Sequence, residues 1–106
     1  MFSLSPDATT SLLRAIVNFV NFDICFEEIR SRSWASVTFT GARHELGLRL
    51  EGDGAEAAAD RLCDGLDTAE LNLRGHILAD IALVSREPVD QASVRLRLEA
   101  LTVEDA

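Results

Sequence analysis

Few side chains in this sequence have types and spacings that suggest chemistry. They are two histidines, His44 and His76, two cysteines, Cys25 and Cys63, and Asp80, four residues beyond the second histidine. Arg43-His44-Glu45 has the residue types of a general acid–base cluster. The same tripeptide at a hairpin end also reads as a solvated turn. His76 and Asp80 fall on one strand face, roughly 13 Å apart along an extended chain. That is too far for a direct pair, but as polar groups of a shared pocket they are the candidate small-ligand or substrate site.

Other chemistries are excluded more firmly. Strand alternation groups His44 with Leu46 and Leu48, and puts His76 on the opposite side of the sheet. A shared metal site is therefore not expected, and neither is a cofactor. No nucleophile motif, glycine-rich phosphate loop or CxxC pair is present. All 10 basic residues are arginine, so lysine Schiff-base and P-loop chemistry are absent. The net charge is −8, from 18 acids against those 10 bases. A phosphate backbone would be repelled unless the arginines cluster. Arg30, Arg32, Arg43 and Arg49 are the one basic concentration, and Glu27, Glu28, Glu45 and Glu51 offset it. Nucleic acid is not an expected partner.

Residues Met1 to Asp7 lack the basic start of an export signal, so the expected setting is a reducing cytoplasm with two free thiols. Cys25 and Cys63 read as small packed hydrophobes. The longest apolar run, Ala15 to Val20, is short and broken by Asn18, so no membrane span is expected.

The elements that must position these residues follow from periodicity. Ser5-Pro6-Asp7 starts a helix: a serine cap, a proline tolerated in the first turn, and an acid at the positive end of the dipole. Leu12, Leu13, Ile16, Val17 and Val20 recur at helical spacing, which predicts a helix over 6–20. Phe22, Ile24 and Phe26 alternate as a strand. An extension of the helix through Ile29 is the rival reading of residues 22–32. Alternation from Trp34 to Thr40, followed by Gly41-Ala42, predicts a hairpin closed at that dipeptide. That register sets Val37 opposite Leu46, Ala35 opposite Leu48 and Trp34 opposite Arg49, a cation–π pairing. Asp53 and Glu56 resemble a capping box. Ala55, Ala58, Ala59, Leu62, Cys63 and Leu66 form the stripe of a second helix, with Gly65 as a left-handed C-cap. A strand over 71–84, a turn at Arg86–Asp90 and a strand over 91–103 complete the chain. Their expected register faces Ile81 with Leu96 and Asp80 with Arg97, an ion pair.

The sequence Leu48-Arg49-Leu50-Glu51 returns as Leu96-Arg97-Leu98-Glu99. Element order and spacing repeat with it. The expectation is one α+β domain over 1–106, built from tandem α-β-β units at 5–52 and 53–103. Two hairpins beside each other make a four-stranded antiparallel sheet with two helices on one face. This order resembles a circularly permuted ferredoxin-like arrangement by topology alone.

The other sheet face would carry Trp34, Arg49, Leu78, Asp80 and Arg97, with Ala82 and Val84. That is more apolar than a fully solvated face requires. Tryptophan and arginine on a half-apolar surface fit a protein interface. The sequence therefore points first to a non-catalytic interaction or assembly module, homo-oligomeric or bound to a protein partner, acting through that face. A small-ligand binder or enzyme using His76 and Asp80 is the alternative.

Overall fold

A computed structural model describes residues 7–66 and 71–104. Within them are two helices and a four-stranded antiparallel sheet, an α+β arrangement. Helix α1 spans Ala8–Val20, and its first turn is held by the Asp7 side chain, which accepts from the Thr10 amide at 2.7 Å. That bond keeps the Asp7 carboxyl below its ordinary pKa. The expected capping role of Ser5 and Pro6 lies outside the described residues. At the other end Asn21 adopts a left-handed conformation (φ 49°) and stops the helix, its amide bonding the Val17 carbonyl. Strand β1, Ile24–Ala35, follows directly. Residues 24–32 are therefore strand, not helix extension.

Strand β2 covers Thr40–Glu51. The hairpin does not close at Gly41-Ala42. It closes over Ser36 to Phe39, with Ala35 opposite Thr40 and Trp34 opposite Gly41. Ser36 makes the turn: its amide donates to the Phe39 carbonyl, and its hydroxyl oxygen accepts from the Phe39 amide at 3.0 Å. Val37, expected in the core against Leu46, is fully exposed at the tip, and Phe39 is exposed beside it. The true inward partners of β2 are Ile24, Phe26, Ile29 and Ser31, reached through a bulge between Phe26 and Glu28.

Helix α2 spans Ala55–Gly65. Gly54, at φ 91°, is its N-cap and no side chain caps it, so the Asp53–Glu56 box does not form. Gly65 is not a left-handed terminator, since Leu66 continues in right-handed conformation. Its lack of a side chain serves packing instead: a Cβ there would run into the ring of Phe19 on α1. Ala55, Ala58, Ala59 and Leu62 are buried as the periodicity predicts, and Cys63 is half-buried.

Strand β3 begins only at His76 and runs to Asp90, and strand β4 covers Ser93–Glu104. The turn is Gln91-Ala92, closed by the Ala92 amide donating to Asp90 Oδ1 at 2.8 Å. The expected turn at Arg86–Asp90 is strand. The later turn, with three register shifts between Leu78 and Asp80, Leu83 and Ser85, and Pro88 and Asp90, displaces every pairing. Ile81 faces Ala100, not Leu96, and Asp80 faces Leu101, not Arg97.

The strand order is β1-β2-β4-β3. Leu46, Leu48 and Leu50 of β2 pair with Leu98, Leu96 and Val94 of β4, and all six are buried. Leu12, Ile16 and Val20 of α1 and the alanine face of α2 close over them. Fully burying one such aliphatic side chain contributes roughly 1.5–3 kcal/mol, so this layer dominates stability. Both helices lie on this one face. Among the described residues no helix is long and apolar enough to cross a membrane.

Candidate functional site on the open sheet face

The registers fix which side chains line the uncovered face. A row across one end carries Trp34, Gly41, Val103 and Ile77. The next holds Arg32, Arg43, Leu101 and Asp80, and the one after it Arg30, Glu45, Glu99 and Ala82. Beyond these the face is ionic. Glu27 accepts from Arg95 at 2.8 Å and pairs with Arg49 at 3.2 Å. Arg49 also holds Glu51, and Arg95 reaches Glu87 at 3.4 Å. Glu28 joins Arg30 and Arg97 at 2.8 and 2.9 Å. The Arg95 hydrogen bond pushes the Glu27 carboxyl below its usual pKa.

Trp34, Arg49, Asp80 and Arg97 thus occupy the open face, as the alternation predicts. Their pairings differ. Trp34 lies over Gly41, not Arg49, and a Cβ on Gly41 would collide with the indole and with the Thr102 carbonyl. Arg49 is held by Glu27 and Glu51 instead. Arg97 bonds Glu28 on β1, not Asp80. Leu78 pairs with the buried Thr102 and packs against the core, so it leaves this face. The extra residue at Ala79 is the cause: before it, Ile77 points out and Leu78 in. The Trp34 Nε1 atom is shielded from solvent and has no hydrogen-bond partner among the described residues.

That same bulge separates His76 from Asp80. His76 pairs with Glu104 on the helix side and Asp80 with Leu101 on the open side. The expectation that the two histidines point to opposite sides is corrected with it: both lie on the helix-bearing side. Among the described residues no group of three metal-ligating side chains comes together.

His44 is 1% exposed and sits in a relay that sequence spacing did not signal. Thr102 Oγ1 donates to the Ala42 carbonyl at 3.4 Å and therefore accepts from His44 Nε2 at 2.9 Å. This assigns the tautomer, leaving Nδ1 to accept from the Ser31 hydroxyl at 2.8 Å. Thr9, in the first turn of α1, then donates to Ser31 at 2.7 Å. Ser31 and His44 have the spacing of a nucleophile and its base. Taking the serine proton would create a buried imidazolium, however. Burial pushes the His44 pKa down, His76 adds to that, and Asp7 alone opposes it. The relay is a clamp joining α1, β1, β2 and β4.

Two charges on the open face are left over. Arg32 and Arg43 are direct cross-strand partners, both exposed, and neither has a carboxylate partner among the described residues. With Arg30, Ser31 and Glu45 they line a concavity of about 360 Å³. Only the true turn at Ser36 sets them opposite each other, and the Gly41-Ala42 turn hid the pairing. No protein-family model matches this chain, and no curated protein or solved structure shows significant similarity to it.

Proposed function

We propose that this chain is a non-catalytic interaction or assembly module, working through the open face of its sheet on a second copy or another protein. The carrying observation is the Trp34–Gly41–Val103–Ile77 row, which crosses all four strands with no helix above it among the described residues. Ile77 is 53% exposed there. An apolar row ending in a tryptophan, with a polar ionic field beside it, has the anatomy of a protein interface. We place the module in the cytoplasm, where the thiols of Cys25 and Cys63 stay reduced.

The architecture we propose for it is one α-β-β motif written twice, in a permuted ferredoxin-like order. Support comes from the centre of the sheet. Leu48 pairs with Leu96, its own counterpart in the repeated Leu-Arg-Leu-Glu. Leu46–Leu98 and Leu50–Val94 flank that pair symmetrically, as a local two-fold axis requires.

Light scattering after size exclusion tests self-association. A dimer or larger species is expected at high micromolar concentration, weakened by Trp34→Ala and by Ile77→Asp. A strict monomer, indifferent to both substitutions, would remove self-association and leave only a foreign partner.

A further inference from the structure

Resting on the reading of the open face as a protein-binding surface, we infer that Arg32 and Arg43 form a receptor for a single carboxylate on the partner. That carboxylate is carried by a segment whose neighbouring apolar side chains lie along Trp34, Val103 and Ile77. The chain has carboxylates in excess, and four of the six arginines on this face are held by them. The two that are not stand directly opposite each other, where like charges repel. Among the described residues no carboxylate bonds either guanidinium, and Glu45 in the same concavity offsets only part of that repulsion.

Both guanidinium-bearing residues line the concavity, with Arg30 at its rim already engaged by Glu28. An oxyanion between two planar guanidinium groups accepts from both, the geometry in which arginine binds best. Nearby acids limit the ligand. Glu45 lines the same concavity, Asp80 ends the same row and Glu99 lies in the next. A polyanion or phosphate dianion meets these three acids, whereas one carboxylate together with Glu45 balances the two arginines. The adjoining row supplies the apolar contact that a free carboxylate ion would not use. The partner is therefore a protein segment with an isolated Asp or Glu among apolar residues, and not a nucleic acid.

The test is a ¹⁵N NMR titration of the full chain with N-acetyl-glutamate amide. Its neutral glutamine analogue and inorganic phosphate serve as comparison probes. Saturable shifts are expected at residues 30–34 and 41–43, with no response to the glutamine analogue and a weaker one to phosphate. Arg32→Gln and Arg43→Gln should each weaken binding at least tenfold. Neither should lower the melting temperature, because each removes a repulsion; an arginine kept for structure would show the opposite. An unchanged response in the double variant would overturn the inference. So would equal shifts around Arg49, Arg95 and Arg97, or phosphate binding more tightly than the carboxylate. A chain that stays monomeric yet passes this titration would sink self-association alone. One that dimerises through Trp34 but fails the titration would sink this inference alone.

Discussion

The two hairpins are tied to their helices by different means. The β1–β2 hairpin holds α1 through a relay, Thr9–Ser31–His44–Thr102, whose links are 2.7 to 2.9 Å long and whose His44–Thr102 end is buried. The β3–β4 hairpin holds α2 through Arg86, which bonds Glu56 at 2.7 Å and Asp60 at 2.8 Å. Arg86 sits on the helix side of β3, opposite Leu96, at a position where an aliphatic residue would be expected. Asp60, then Glu56, hold its pKa above even the usual arginine value. Distances alone would rank the two ties as equals. Burial separates them. At its His44–Thr102 end the relay is made of buried neutral groups that lose their partners outright if one is removed, whereas the acids facing Arg86 are about two-thirds exposed and regain water.

The largest effect should come from His44→Ala. It empties a buried site and leaves the buried Thr102 hydroxyl without its donor, at a cost of about 2–4 kcal/mol in urea melts. A loss below about 1 kcal/mol would mean the relay is no more than the surface pair. Gly41→Val should come next, at about 1–3 kcal/mol, because the new side chain meets both the indole and the β4 backbone. Loss of the Trp34 fluorescence signature should accompany it.

Acidification then distinguishes the two ties by sign. His44 has a depressed folded-state pKa, so its contribution is fully present above the unfolded value of about 6.5. It is lost as pH falls through the folded value. Wild type should therefore lose stability relative to His44→Gln between neutral and mildly acidic pH. Arg86→Ala should shift stability equally across that range, since the Arg86 guanidinium stays charged throughout it. Arg86→Ala should also be the mildest change, about 0.5–1 kcal/mol after discounting for solvent screening.

What the sequence disclosed follows the same division between local and distant. Both helices were legible because their stripes repeat within a few residues of one another. The inward side of His44 was legible too, by parity with Leu46 and Leu48. Its partners were not, because Thr9, Ser31 and Thr102 come from three separate elements. On the first hairpin the faces of Trp34 on β1 and Arg49 on β2 came out right although the turn lay elsewhere. The turn centre moved from 41–42 to 37–38, an even step that preserves which side each residue faces. On β3 the three bulges each add one residue, and an added residue inverts all that precedes it. Nothing in Leu78-Ala79-Asp80 announces a bulge. Leu78 was therefore assigned to the wrong side, and His76 with it.

Those bulges carry one more consequence. Kinked three times and interrupted by Pro88, the β3 border offers an incoming chain no straight run of free amides. The β1 border is straight from Glu28 to Ala35. Among the described residues the β1 border is therefore the margin open to an added strand, and two molecules joined along it would each use up that margin.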